Sequence, residues 1–237
     1  QFTSVNASIG GVTLSAGNGA GSTNTGHGGA IYQTGGTLSL SDSVVSGNSC
    51  AALGTGGAVF SSFGALGLVR TSVTNNLCDN VGAVFVQDGS ATLLDSTLSG
   101  NSGSAGEALR VIANSVDSSL DLVNVTISGN SSVIGNSAIR SEYTSGRTAT
   151  VTLTNSTVSG NTTSSAAGHG AIWQEPLGGI HVTRLHNSIV AGNTVAGAPN
   201  DVEGTLDVVS SFNVIGSGGG LSNGVNGNQV GISAPLL

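Results

Sequence analysis

An asparagine recurs along this chain at a nearly constant interval, and this repeat constrains the fold more than any other feature. The intervals between successive copies are 28, 25, 29, 31 and 32 residues. Four of the six copies carry the motif Ser-Gly-Asn, as in SVVSGNSC at 43–50. A period of about 20–50 residues is typical of solenoids, propellers and repeat arrays. The aligned asparagines are Asn48, Asn76, Asn101, Asn130, Asn161 and Asn193.

Apolar side chains alternate with small polar ones upstream of each asparagine, which predicts strands rather than helices. Three residues before the asparagine stand Val45, Val73, Leu98, Ile127, Val158 and Val190. Two more inward columns are predicted farther upstream: Leu40, Leu68, Leu93, Leu122, Leu153 and Val182, and Leu38, Leu66, Ala91, Leu120, Val151 and Ile180. Another strand precedes them in each repeat, in segments such as GGAIYQ (28–33), GGAVFS (56–61) and HGAIWQ (169–174).

These strands predict the fold class, an all-β, right-handed parallel β-helix of about 7–8 coils. Each repeat has room for about three short strands and their turns, and for no helix. Leucine-rich repeats carry a signature that is absent here, and propeller blades need about 40 residues or more. We expect a single domain over 1–237, with an irregular N-terminal coil or cap at 1–30, regular coils at 31–193, and a C-terminal coil and cap at 194–237.

The recurring asparagine predicts a buried ladder of hydrogen bonds. Equivalent positions of stacked coils lie about 4.8 Å apart, and an inward asparagine amide can bond the turn backbone and the next asparagine. Buried polar groups need such partners. The preceding glycine suits a turn with positive φ, and Asn75 replaces it once because asparagine tolerates that region. We therefore interpret the six asparagines as structural.

The two cysteines occupy one position in adjacent repeats. Cys50 and Cys78 each lie two residues after a repeat asparagine. A stacking distance of about 4.8 Å falls within the Cα separation that a disulfide allows. We predict a disulfide between them and an oxidising, extracytoplasmic location. The alternative is a pair of buried free thiols.

Two outward columns carry the remaining distinctive side chains. One column consists of the residues that directly follow the inward residue of each GGAI-type strand. This column predicts an exposed stripe that could bind a glycan or a protein. The alternative is that a loop or a neighbouring domain covers the stripe. The other lies six residues before each asparagine and predicts a solvated charge column, with Arg70 between Asp42 and Asp95. The stripe residues are Tyr32, Phe60, Phe85, Arg110, Arg140 and Trp173.

Composition narrows the functional classes. Only 7% of residues are charged, the formal net charge is −7, and the cationic side chains are five separate arginines, which argues against binding to nucleic acid. No apolar run approaches the roughly 18–20 residues of a membrane span, so we expect no membrane insertion. No Cys or His spacing completes a metal site, and we expect no metal or cofactor. Because the chain begins at Gln1, we expect a segment of a longer secreted protein.

The combination of GGA-[ILV] strands with S-x-x-SGN resembles the bacterial right-handed parallel β-helix repeat proteins, including the polymorphic outer-membrane protein repeats. The stretch SSFNVIGSGGGLSNGVNGNQVG (210–231) is similar to the ends of such helices in large secreted bacterial surface proteins. The resemblance covers nearly the whole chain. It implies exposure at the cell surface and a role in adhesion or as a scaffold within a longer polypeptide.

The sequence thus favours a secreted or cell-surface, non-catalytic β-helix that presents a repetitive face to a glycan, to a protein or to other copies of itself, with head-to-tail filaments through its open ends. The alternative is a carbohydrate-active enzyme, a polysaccharide lyase or hydrolase, beside the long loops 111–119 and 141–150. Its candidate site residues are Glu107, Arg110, Arg140, Glu142, His169 and Glu175. Ice binding is a third option, which the irregular distribution of threonine disfavours.

Overall fold

A computed structural model describes residues 1–20, 26–51, 53–105, 107–136, 138–144, 146–175 and 180–232. Parallel strands stack into a β-solenoid of about 7 turns, which confirms the predicted fold class. Among these residues the only helix is the 3₁₀ turn Val225–Gly227, and no helix there could cross a membrane. The apolar segment 234–237, which the sequence suggests as a cap or a continuation, lies outside the described residues.

Each regular coil contributes strands to up to four stacks, which we name a to d in chain order. Stack a contains the first part of Ile31–Ser41, then Val59–Ser62, Val81–Gln87, Glu107–Ala113, Ile139–Tyr143, Ile172–Gln174, Val202–Thr205 and Gly218–Gly219. Stack b contains Phe2–Gly10, the second part of Ile31–Ser41, Ala65–Val69, Ser90–Leu94, Ser118–Val123, Thr148–Thr154 and Ile180–His186. The long strand Ile31–Ser41 joins these two stacks into one 14-stranded sheet.

The other two stacks complete the circumference of the coil. Stack c contains Thr13–Ser15, Val44–Ser46, Ser72–Thr74, Thr97–Ser99, Thr126–Ser128, Thr157–Ser159, Ile189–Val190, Val214–Ile215 and Gln229–Val230. Stack d contains Ser102–Gly103, Ser131–Ser132, Thr162–Thr163 and Thr194–Val195, followed by Ala198–Pro199, which is antiparallel to its neighbour. Neighbouring strands within a, b and c pair in parallel.

The predicted inward columns form the core, with one correction in the last regular coil. Leu40, Leu68, Leu93 and their equivalents are buried and packed in one cluster. In the last coil, however, Leu185 pairs with Leu153 and Thr183 pairs with Val151. The prediction of Val182 and Ile180 is wrong because a shift of three residues, an odd number, moves side chains to the opposite face of a strand. Ile180 is 61% exposed.

The asparagine ladder is confirmed and has a uniform direction. The backbone N–H and the side-chain Nδ2 of Asn48 both donate to Oδ1 of Asn76, at 3.0 Å each. The same pair of bonds connects every later step as far as Asn193. The ladder then ends on the buried carboxylate of Asp201, which accepts from Asn193 at 2.9 and 2.8 Å. The preceding turn has positive φ, 63° at Gly47 and 55° at Asn75.

A second ladder, which the sequence analysis missed, lies five residues before each asparagine. Its hydroxyl oxygens accept hydrogen bonds from the backbone of the preceding coil, as in Thr71 N–H to Ser96 Oγ at 3.0 Å. At its end two asparagine amides replace the hydroxyls, and the Ser188 N–H donates to Asn213 Oδ1 at 2.9 Å. The column contains Ser43, Thr71, Ser96, Val125, Ser156, Ser188, Asn213 and Asn228. Serine and threonine are so frequent throughout the chain that this column does not stand out.

The cysteine prediction is confirmed, and the charge column is present. Cys50 and Cys78 form a disulfide with their Cα atoms 5.1 Å apart. In the charge column Arg70 forms two hydrogen bonds to Asp42, at 2.6 and 2.8 Å. Both side chains are more than half exposed, so this pair adds little stability. All six residues of the column have φ between 46° and 54°, a region that asparagine and aspartate tolerate best after glycine.

Candidate functional site

The predicted stripe exists as an in-register column on the outer side of stack a. Parallel pairing places Tyr32 beside Phe60, Phe60 beside Phe85, and so on to Trp173. The column continues one step farther, to Glu203. We call the set from Tyr32 to Glu203 the outer column. Period-two alternation places it outside the core because the neighbouring positions, such as Val59 and Ile139, are buried inward.

The outer column is not an exposed stripe, which corrects the sequence-based prediction. Phe60, Phe85 and Trp173 are only 7%, 5% and 8% exposed. The rings of Tyr32, Phe60 and Phe85 stack on one another with centroids 5.2 and 5.4 Å apart. The ring of His27 covers Phe60 at 4.7 Å. Stacking along the axis and the turn before each strand therefore remove from solvent most of the surface that a ligand would need.

Five charged residues meet where the outer column passes from phenylalanine to arginine. Arg140 pairs with Glu107 at 3.2 Å, with Glu175 at 2.6 Å and also with Glu142. Arg110 pairs with Glu142 at 2.6 Å and donates a hydrogen bond to Asn80 Oδ1 at 2.9 Å. We call Glu107, Arg110, Arg140, Glu142 and Glu175 the ion cluster. These are five of the six predicted candidate catalytic residues, and the fold brings them together from three successive coils.

Burial changes the acidity of the ion cluster. Removal from water raises the pKa of Glu107 to about 7, although both arginines oppose the shift. Burial also raises the pKa of Glu142, again against the two arginines. Burial acts in the same sense on Glu175, but the hydrogen bond from Arg140 and the positive charges of Arg140 and Arg110 together outweigh it and lower the pKa of that carboxyl. Glu107 and Glu142 therefore favour their protonated forms more than an exposed glutamate does, whereas Glu175 favours its ionised form.

The sixth candidate, His169, lies beside the ion cluster rather than in it. Its ring stacks on Trp173 at 3.6 Å, and its Nδ1 is 3.0 Å from Glu203 Oε1. The guanidinium of Arg140 packs on the same indole, 4.4 Å from its centroid. Trp173 therefore contacts both the ion cluster and the histidine–glutamate pair. Glu203 was not among the predicted residues, because the coil that carries it lacks the GGAI motif.

The remaining histidines have structural partners. His181 contacts Ser141 Oγ at 3.0 Å and the carbonyl oxygen of Glu175 at 2.7 Å, and burial lowers its pKa. His186 lies 3.2 Å from Ser211 Oγ. Within the described parts of the chain, no group of three or more His, Cys, Asp or Glu side chains is arranged to hold a metal ion.

Two grooves of the molecule lie away from the ion cluster. One of about 440 Å³ runs between stacks a and b and is lined by Phe63, Asp88 and Asp117. Another of about 450 Å³ follows stack d and is lined by Leu77, Asp79 and Val133 among others. Carboxyl groups with raised pKa values, such as those of Glu107 and Glu142, can perform acid–base chemistry. Here, however, the side chains of the ion cluster are between 0% and 21% exposed, so a polymer has little access to them.

The exposed repetitive surface lies on stack c, not on the outer column. Because Val73, Leu98, Ile127 and Val158 point inward, both neighbours of each point outward. Over these four consecutive coils every outward position is a serine or a threonine, and the strands pair in register. We call the eight residues Ser72, Thr74, Thr97, Ser99, Thr126, Ser128, Thr157 and Ser159 the hydroxyl face. This surface has no Thr-x-Thr array, as expected from the irregular threonines, and its regularity appears only when serine and threonine are counted together.

The hydroxyl face is free to bind from outside. None of its eight side chains forms a hydrogen bond with another described residue, and all are partly or fully exposed. No charged side chain interrupts it, and the nearest charges belong to the column of Asp42, Arg70 and Asp95 at its edge. The face is therefore a neutral, regular array of donors and acceptors, with a spacing of about 4.8 Å along the solenoid axis and about 6.6 Å along each strand.

Comparison with known proteins did not identify a relative of this chain. No family model matches the chain, and the searches found no significantly similar curated protein and no significantly similar solved structure.

Proposed function

We propose that this protein is a non-catalytic, extracytoplasmic β-solenoid that binds a neutral glycan through its hydroxyl face. The observation that carries the proposal is the unbroken array of eight outward hydroxyls on four consecutive coils, with no bonds among the described residues. The disulfide between Cys50 and Cys78 supports an oxidising compartment. The continuous asparagine ladder supports a rigid scaffold, because it bonds each coil to the next from Asn48 to Asn193.

The chemistry of the hydroxyl face favours a glycan over a protein partner. Protein interfaces are enriched in aromatic residues, methionine and arginine, and the hydroxyl face has none of these. Serine and threonine hydroxyls both donate and accept hydrogen bonds, as sugar hydroxyls do. A polymer with regularly spaced hydroxyls can therefore contact several coils at once, and weak contacts at each coil add up to useful affinity.

Replacing the three threonines of the hydroxyl face by valine tests the proposal. We expect Thr97→Val, Thr126→Val and Thr157→Val together to weaken glycan binding by roughly 10- to 1,000-fold, since each lost hydrogen bond contributes about 0.5–1.5 kcal/mol. Valine keeps the shape and the strand propensity, so folding should be retained. The measurement is co-sedimentation with insoluble cellulose, chitin and peptidoglycan, together with titration against soluble neutral oligosaccharides.

A matched control uses threonines on another face. Thr92 and Thr152 lie on the outer side of stack b, and the Thr92→Val/Thr152→Val variant should bind as the unchanged protein does. Equal binding by the hydroxyl-face variant would contradict the proposal, as would failure of the unchanged protein to bind any of the polymers. Immobilised copies of the chain are included as a ligand. Among the described residues Phe2–Gly10 pairs along one edge only, and an open edge can recruit a second copy.

The same array satisfies the geometric condition for ice binding, a regular outward set of hydroxyls. Thermal hysteresis measured on the unchanged protein and on the two valine variants separates this use from glycan binding. Hysteresis that disappears only in the hydroxyl-face variant would identify ice rather than a sugar polymer as the ligand.

A carbohydrate-active enzyme is the second candidate function, and the meeting of Glu107, Glu142 and Glu175 with two arginines is the observation that favours it. For this candidate we expect a panel of acidic polysaccharides to yield unsaturated products or reducing ends, and Glu142→Gln to abolish them. For the glycan-binding scaffold we expect no turnover of any polymer, because the ion cluster is enclosed. Products that the unchanged protein forms and that Glu142→Gln does not form would show that the protein is an enzyme.

A further inference from the structure

The ion cluster contains an unequal number of opposite charges. It combines three carboxyl groups, from Glu107, Glu142 and Glu175, with two guanidinium groups, from Arg110 and Arg140. With every group ionised the cluster would carry one uncompensated negative charge. Burying an uncompensated charge is costly, and proteins usually avoid the cost by holding a proton instead. The ion cluster is therefore close to neutral only if one carboxyl is protonated.

Glu107 is the carboxyl with the least compensation. Its side chain is completely buried. Oε1 contacts Arg140 at 3.2 Å, whereas Oε2 has no hydrogen-bond partner among the described residues. Glu142 by contrast contacts both arginines, and Glu175 receives a hydrogen bond of 2.6 Å from Arg140. An ionised carboxylate with a bare buried oxygen is less stable than a carboxylic acid in the same place.

From this geometry we propose that Glu107 is a proton-operated latch: it takes up one proton from solvent to neutralise the ion cluster and hold it closed over Trp173, and it loosens that cover when it releases the proton. Trp173 is the readout because Arg140 packs on its ring and also donates a hydrogen bond of 3.2 Å to Glu107. Release of the proton leaves Arg140 shared among three full negative charges. The buried part of the outer column then becomes more accessible to water.

The surroundings of Glu107 contain few other groups that could account for such a change. On its own strand Arg110 faces the cluster, and from the strand Ile139–Tyr143 come Arg140 and Glu142. From the coil before, Asn80 is uncharged. Glu175 completes the cluster, and His181 on its far side has a pKa that burial lowers, so this histidine is neutral at physiological pH. The pair of His169 and Glu203 reaches the site only through Trp173.

The direction of the pH dependence follows from the raised pKa of Glu107. Burial favours the protonated acid in the folded state, with a folded pKa of about 7 against an ordinary value of 4.5. The stabilising contribution of protonated Glu107 is complete at pH values below its ordinary pKa and declines above that pKa. The contribution is lost as the pH rises through the pKa of the folded state. We therefore expect a closed cover in mildly acidic solution and a looser cover in mildly alkaline solution.

The single tryptophan of the chain makes the test direct. We expect acrylamide quenching of Trp173 fluorescence to increase through a one-proton transition centred near the folded pKa of about 7. Glu107→Gln, which imitates the protonated acid, should remain weakly quenched throughout. Glu203→Gln, which removes the partner of His169 and leaves the ion cluster intact, should keep the transition, and so should His169→Gln. A transition that persists in Glu107→Gln, or that vanishes in His169→Gln, overturns the proposal.

A second measurement needs no variant and applies even if Glu107→Gln fails to fold. Difference infrared spectroscopy of the unchanged protein should show a protonated carboxyl that loses its proton between about pH 6 and about pH 8, well above the ordinary range of glutamate. Absence of any carboxylic acid signal at the lower pH refutes the latch. Substrate or glycan is absent from both measurements, so their outcome is independent of the proposed binding function.

Discussion

Replacement of Asn101 by alanine is expected to lower the free energy of unfolding by roughly 3–5 kcal/mol, because it leaves buried polar groups of two neighbouring coils without partners. Oδ1 of Asn101 accepts from the backbone N–H and the Nδ2 of Asn76, at 3.0 and 2.9 Å. Its Nδ2 donates to the Val73 carbonyl and to Asn130 Oδ1, at 3.0 and 2.9 Å. Urea denaturation followed by circular dichroism measures the loss.

The control for this variant is an exposed asparagine of the adjacent coil. Asn124 has a positive φ of 54°, and its amide donates to Asp95 at the surface. Asn124→Gly should change the free energy of unfolding by less than about 1 kcal/mol, since surface substitutions away from special features have small effects and glycine suits that backbone. If Asn101→Ala were as mild as Asn124→Gly, the ladder would not be a source of stability.

Removal of the disulfide is the second substitution with a large expected effect. Cys50→Ala/Cys78→Ala should lower the free energy of unfolding by roughly 3–4 kcal/mol, because the bridge closes a loop with a sequence separation of 28 residues and limits the unfolded chain. Alanine is chosen because Cys78 is buried, where a serine hydroxyl would add a polar group without a certain partner. Denaturation by urea of the oxidised protein and of the variant gives the difference.

Chemical reduction provides the matching control. The unchanged protein unfolded in the presence of a strong reductant should have the stability of the double alanine variant within about 1 kcal/mol, because both lack the cross-link. A variant as stable as the oxidised protein would mean that the bridge does not restrict the unfolded state. If reduction destabilised the protein far more than the alanines did, strain at the free thiols rather than loss of the cross-link would be responsible.

Much of the fold follows from the sequence because the relevant signals repeat. Leu93 and Leu98 are predicted inward by alternation within one coil, and the same positions in five other copies confirm the register. The pairing of Cys50 with Cys78 follows once the asparagines define equivalent positions, since stacking distance in a parallel sheet is fixed by backbone hydrogen bonds. The coil that ends at Asn193 is the exception. There Thr183 and Leu185, which lie ten and eight residues before Asn193, take the inward positions rather than Ile180 and Val182.

The candidate site was only partly predictable. Alternation correctly placed Phe60 and Trp173 outside the core, and proximity in the aligned repeat suggested that Glu107, Arg140 and Glu175 meet. Alternation does not reveal what covers an outward side chain, and the exposed stripe was therefore a wrong prediction. The hydroxyl face was overlooked for another reason: its threonines and serines are interchangeable on a strand surface, so a search for threonine alone finds an irregular pattern.

The sequence by itself determined the period, the parallel solenoid, the asparagine ladder and the disulfide, because each depends on positions that the repeat makes equivalent and on the constant spacing between coils. Only the tertiary structure decided which outward surfaces are open. It buried the outer column beneath His27 and His169 and enclosed Glu107 among arginines from two coils. It left the hydroxyl face uncovered. Coverage depends on how turns of unequal length pack across neighbouring coils, and that packing is a property of the assembled solenoid rather than of any one repeat.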